Sequence, residues 1–168
     1  MTTYPSPFSA PGVRMIETRL VLSGRPAPSV TLTSSRDVAL LVHKLIGDAD
    51  REHFVVLYLN TRHVVTHAHV VSRGTTQTAP VHPREVFKGA LLANAAAIVV
   101  AHNHPSGDVT PSPEDRNVTN RLREAGELLG IEMLDSLIVG PVDKFYATAE
   151  DAVRSISYDD AREVADGS

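Results

Sequence analysis

Apolar residues recur along this chain with two different periods, and the switches between them mark out its elements. Within 34–47, Val38, Leu41, Val42 and Leu45 fall at i, i+3, i+4 and i+7, the spacing of one buried helical face. Ser34 and Asp37 precede that face as a capping-box pair, and Gly47 can end it. His53–Leu59 (HFVVLYL) is a short apolar run of strand length. Residues 64–72 (VVTHAHVVS) alternate weakly and are rich in β-branched side chains. With a turn beginning at Asn60-Thr61, the two predict a hairpin.

The alternation continues. Pro83 suits the first turn of a helix that gathers Val86, Phe87, Ala90 and Leu91 on one face. Residues 96–101 are apolar throughout, as a strand covered on both sides requires. Val118, Leu122, Ala125 and Leu129 make a further helical stripe, stopped by Gly130. Residues 131–139 then read as a strand and Lys144–Ala147 as a short one. Helices on both sides of a mixed sheet are the α/β architecture this order favours.

Residues 1–30 carry five prolines without a period and read as a flexible lead-in, with a short extended piece at 17–22. Residues 159–168 read as a disordered tail, which leaves 31–158 as one folded domain. The full 168 residues suit one domain with a real core. No apolar run approaches the roughly 18 residues of a membrane helix, and the N-terminus lacks the regions of a signal peptide. A cytoplasmic protein is the expectation. The absence of cysteine excludes disulfides and thiolate metal sites. A net charge of −4 gives no overall support for nucleic-acid binding. Arg116, Arg121 and Arg123 are the candidates for a local basic patch, but they lie amid Glu124 and Glu127 and read as a solvated surface.

Chemistry concentrates in 101–115, AHNHPSGDVTPSPED. Residues i and i+2 of a strand share a face, so His102 and His104 project together if the strand runs on through them. They could grip one Zn²⁺, with Asp115 as a third ligand and the fourth position left to water, as in catalytic sites. A helix start explains the same letters: Ser112 as N-cap, Pro113 at N1 and Asp115 at N3. Spacing leaves both readings open, and a capped helix start is itself a rigid mount for a ligand. A second pair, His67 and His69, has the same H-x-H spacing but no acid between Val70 and Arg84. It reads as the polar face of a half-exposed strand.

The run H-N-H-P-S-G-D-V-T-P-S-P-E-D matches H-x-H-x7-S-x2-D, and so resembles the JAMM (MPN+) metalloproteases. LYLNTRH, PREVFKGAL, NAAAIVVAHNHPSGD and LDSLIVG resemble, more narrowly, the JAMM-type domain of bacterial RadC proteins over 31–147. This resemblance implies a three-layer α/β/α fold like that of cytidine deaminases. It implies His102, His104 and Asp115 as ligands of one Zn²⁺ per chain, with Ser112 helping to stabilise an oxyanion. A glutamate near an early strand acts beside the metal in that family; Glu52 is the match here and Glu85 the alternative. The implied activity is hydrolysis of a peptide or isopeptide bond in a protein substrate. Alternatives are an accessory role in DNA repair and a scaffold that has lost activity. A His₂Asp set suits zinc, although iron, cobalt or manganese could occupy it in vitro.

Two departures bear on these implications. Long RadC proteins carry a helix-hairpin-helix type module ahead of this domain, where this chain has about thirty loose residues, which weakens a DNA role. Many relatives show His where this chain has Ser136. Two lookalikes fall away: HNH nucleases draw those letters from separate parts of a ββα motif, and zinc deaminases need cysteines absent here.

Overall fold

The structure is a computed structural model that describes residues 18–23, 30–74, 81–141 and 144–156. In chain order the elements are β1 (Val30–Thr31), α1 (Ser35–Val42), a wider π-type turn at His43–Gly47, β2 (His53–Leu59), β3 (Val64–Arg73), α2 (Pro83–Leu92), β4 (Ala97–Asn103), α3 (Pro113–Leu129), β5 (Glu132–Val139), β6 (Lys144–Ala147) and β7 (Ala152–Ser155). The seven strands form one sheet in the order β1-β3-β2-β4-β5-β6-β7, in which only β4 and β5 run parallel.

The mixed sheet follows from its connections. Asn60 accepts from the backbone of Arg62 and Val64 at 2.9 and 3.1 Å, closing the β2–β3 hairpin, as Asn does in turns. The parallel β4–β5 pair needs a long crossover, and α3 supplies it. Strand alternation then sorts the core into two faces. Val55, Leu57, Leu59, Val99, Ala101, Leu137 and Val139 pack beneath α1 with Val38 and Val42. Phe54, Val56, Tyr58, Ile98 and Val100 face the other way, against Val86, Phe87 and Ala90 of α2 and Leu122 of α3. Both faces are covered, giving the three-layer α/β/α arrangement. Each fully buried aliphatic or Phe side chain contributes about 1.5–3 kcal/mol, so the doubly covered β2 and β4 make a rigid base.

Two ends differ from the sequence reading. The extended piece at 17–22 forms no strand within its described part, where Leu20, Val21 and Leu22 are exposed. The first strand is β1, so Val30 belongs to the sheet rather than to the lead-in, and the tail from 159 lies outside the described residues. At the far edge β7 adds four residues, three of them exposed.

Candidate metal centre

β4 is the central strand of the seven, and the site sits at its C-terminal end. His102 projects toward the α2/α3 face, buried, and stacks on Phe54 directly across the β2–β4 ladder, ring centroids 6.0 Å apart. The strand ends at Asn103, yet the His104 N–H still donates to the Val139 carbonyl at 2.9 Å. The alternation therefore runs one residue further, and both imidazoles lie on one side, their Nε2 atoms 3.0 Å apart.

A turn then fixes which nitrogen of His104 is bare. Gly107 adopts φ +84, a region that favours glycine, and its N–H donates to the His104 carbonyl at 3.0 Å. This turn brings the Asp108 carbonyl to 2.6 Å from His104 Nδ1. A carbonyl only accepts, so Nδ1 carries the proton and the neutral ring presents an unprotonated Nε2 to its neighbours. Metal-ligating histidines are oriented in the same way. His102 Nδ1 is buried and has no hydrogen-bond partner among the described residues.

Asp115 serves as cap and as candidate ligand at once, with its two oxygens dividing the work. Oδ2 accepts from the Ser112 N–H at 2.8 Å and its hydroxyl at 2.6 Å, while the Asp115 N–H donates back to Ser112 Oγ at 3.1 Å. Oδ1 stands 3.2 Å from His102 Nε2, and Oδ2 lies 3.8 Å from His104 Nε2. Burial alone would raise the Asp115 carboxyl. The adjoining His102 and the Ser112 bonds outweigh it and hold the group well below the usual carboxylate range.

Glu52 completes the cluster. It precedes β2, and its carboxylate, the two imidazoles and Asp115 all offer ligand atoms within 4.8 Å of one another. Glu85 lies elsewhere, half-buried in the first turn of α2 and paired with Lys88 at 2.7 Å and Arg84 at 3.4 Å. His67 and His69 join no such cluster among the described residues.

The donor set fits a small divalent ion. Zinc–ligand bonds of about 2.0–2.1 Å in a tetrahedron imply ligand separations of about 3.3 Å. The observed 3.0, 3.2 and 3.8 Å fall around that value. Two imidazole nitrogens facing each other beside a carboxylate need a cation or a proton between them, and the tautomer of His104 leaves its Nε2 open to either.

A family model described as the RadC-like JAB domain matches residues 32–153. The chain belongs to that family. A UPF0758 protein of Rubrobacter xylanophilus is 52% identical over 122 residues, covering 73% of this chain and 53% of its own length. One of Staphylococcus haemolyticus is 49% identical over 119 residues, with 71% and 51% covered. One of Methanosarcina mazei is 43% identical over 124 residues, with 74% and 53% covered. The chain thus spans about half the length of these curated relatives. No described helix is long and apolar enough to cross a membrane.

Within this RadC-like domain, sequence reasoning passed over Asn103, the residue between the histidines. It is 1% exposed. Its Oδ1 accepts from the His53 N–H at 2.7 Å, and its Nδ2 donates to the Arg51 and Ala49 carbonyls at 3.0 and 3.4 Å. It therefore clamps the loop that carries Glu52 to the strand that carries both histidines. An Asn facing away from an H-x-H pair is the one signal the sequence offers, since alternation sends it to the opposite face. Ser136 lies beside the site: it lines a cavity together with His102 and Asp115.

Proposed function

We propose that this chain is a zinc-dependent hydrolase of the JAMM type, cleaving a peptide or isopeptide amide bond in a protein substrate. One observation carries the reading: His102, His104 and Asp115 converge with the separations of a metal ligand set, and Glu52 stands beside them. His102, His104 and Asp115 would hold the ion. Zinc supplies Lewis-acid chemistry there, lowering the pKa of water toward ~7 and polarising a carbonyl.

The chain's own groups account for the proton. Glu52 accepts a proton from the water that attacks the amide carbon, then delivers it to the leaving nitrogen as the C–N bond breaks. The products are a carboxylate and a free amine, and Glu52 returns to its starting state. The Ser112 hydroxyl now donates to Asp115 Oδ2. It acts on a developing oxyanion by exchanging that acceptor, and losing such a donor typically costs ~10²–10³ in rate.

The test is hydrolysis of peptide and isopeptide-linked substrates by zinc-loaded protein, with Glu52→Gln alongside. Wild type should cleave, while Glu52→Gln retains zinc and loses at least ~10² of the rate. A Glu52→Gln variant as active as wild type would remove Glu52 from the reaction. A zinc-loaded wild type that cleaves neither class would leave the scaffold reading in front.

A further inference from the structure

Beside the metal cluster lies a cavity of about 140 Å³ that no part of the hydrolytic reading uses. His102 and Asp115 form one wall. Thr119 of α3, Ser136 of β5 and Tyr146 of β6 form the interior, with Arg116 at the rim. We propose that this cavity is a carboxylate-binding subsite, which places a substrate carboxylate next to the amide being cleaved. The proposal rests on the metal reading, because the subsite has meaning only beside a working centre.

The hydrogen-bond inventory of the cavity carries the argument. Thr119 and Ser136 are 7% and 5% exposed, and their hydroxyls share a single hydrogen bond of 3.1 Å. Two hydroxyls own two protons. One bond uses one proton, so whichever oxygen donates, one buried O–H of the pair is left without an acceptor among the described residues. The Ser136 main chain does not take it up: its N–H donates to Asp135 and its carbonyl already accepts from Thr148.

The other groups add donors. Tyr146 gives its one proton to Asp151 Oδ1 at 2.6 Å, which leaves the phenol oxygen as an acceptor facing Arg116. Arg116 has five N–H donors, more than that one oxygen can use. Of the nearby carboxylates, Asp151 is engaged by Tyr146, Glu150 by Arg154 at 3.0 Å, and Asp115 by the site itself. A buried hydroxyl donor inside and a guanidinium at the mouth call for an anionic acceptor, and charge-assisted hydrogen bonds are the strong ones. Ile138 and Pro111 give the cavity an apolar side that suits a short methylene stem, and Asn120 and Thr148 complete its lining. The carboxylate has two sources, an acidic side chain beside the scissile bond or a chain terminus just beyond it.

Hydroxamates test this without any turnover, because their heads chelate zinc while their tails enter the cavity. N-acetyl-aspartate α-hydroxamate and its isostere N-acetyl-leucine hydroxamate probe the side-chain source. Succinate monohydroxamate and its isostere 4-methylpentanohydroxamate probe the terminal source. Each is titrated calorimetrically into zinc-loaded protein whose zinc content is measured first. In at least one pair the acid should bind roughly tenfold tighter than its apolar isostere, and the pair that shows the preference identifies the source. Ser136→Ala and Arg116→Ala should each remove most of that preference while zinc content and the apolar probes' affinities hold. Equal or tighter binding of the apolar probe in both pairs, or a preference that survives both substitutions, would overturn the subsite. A wild type that takes up no zinc would instead overturn the metal reading, and the subsite with it, before any probe is added.

Discussion

Two H-x-H pairs lie on the strands that flank β2, and only one of them becomes part of a ligand set. His67 and His69 sit on β3, where Tyr58 gives its proton to the Val86 carbonyl and so accepts from His69 Nδ1 at 3.1 Å. His67 Nδ1 lies 3.1 Å from the Thr66 hydroxyl. These rings serve the strand and its neighbours. His102 lies near the end of β4 and His104 one residue past it, and the chain beyond them turns at Gly107 into a capped helix that brings Asp115 back. Strand spacing places two imidazoles side by side in both cases. What separates them is a third group carried by a rigid element, together with a carbonyl that fixes the tautomer of one ring.

The largest expected effect exploits this contrast. Zinc per chain, by elemental analysis after purification without added metal, should be about one in wild type. It should be the same in a His67→Ala/His69→Ala double variant. Asp115→Ala or His104→Ala should retain markedly less, since even groups that merely orient a ligand are worth ~10–100-fold in affinity. Zinc lost from the double variant, or kept in His104→Ala, would erase the distinction between the two pairs.

Asn103 gives the next effect, and it separates a strand that carries ligands from one that also holds the proton-transfer group. Asn103→Ala leaves the part-buried His53 N–H without its partner and removes the bonds that the amide gives to the Arg51 and Ala49 carbonyls, of which Arg51 keeps the His53 ring at 2.8 Å. An unsatisfied buried polar group costs about 1–3 kcal/mol, and this N–H is only part-buried, so urea unfolding should show a loss of about 1 kcal/mol. Zinc should stay bound, while amide exchange at residues 51–53 speeds up. Unchanged exchange there would mean that the Glu52 loop is held by something other than this side chain.

Much of this was legible in the letters, for reasons the structure makes plain. The long periodic elements are governed by burial, and β2 coincides with its expected run because six of its seven residues are buried. β1 and β7 are short edge pieces whose pairing is set by the neighbouring strand, so they leave no periodic mark. For His102, His104 and Asp115, strand alternation and a helix cap are local rules that left a ligand set and a capped strand end both open, and the family resemblance chose between them. Asn103 holds the residues on either side of Glu52, Arg51 and His53, from about fifty positions away in sequence. Only the β2–β4 register brings them together, and no local pattern encodes it. The cavity at Ser136 is likewise a product of three elements meeting.

The smallest effect comes from a second pair of twins, the capping boxes of α1 and α3. Asp37 Oδ2 accepts from the Thr33 N–H and hydroxyl at 2.9 and 2.6 Å and from the Ser34 N–H at 3.0 Å. Asp115 is held by Ser112 in nearly the same way, but only Asp115 faces histidines. Burial pulls the Asp37 carboxyl upward, yet the bonds from Thr33 and Ser34 prevail and hold it below its ordinary 3.8. A folded value below the unfolded one means that the unfolded chain binds more protons in between. The stabilisation is therefore present above about pH 4 and is lost as pH falls through the folded value. Asp37→Ala should lower stability at pH 7 by about 1 kcal/mol, with the gap to wild type narrowing toward pH 3 and zinc content unchanged. A gap of equal size at both pH values would show that the shape of this cap, and not its charge, stabilises α1. Zinc lost from Asp37→Ala would mean that a helix cap with no histidine beside it governs the metal, against the division drawn between the twins.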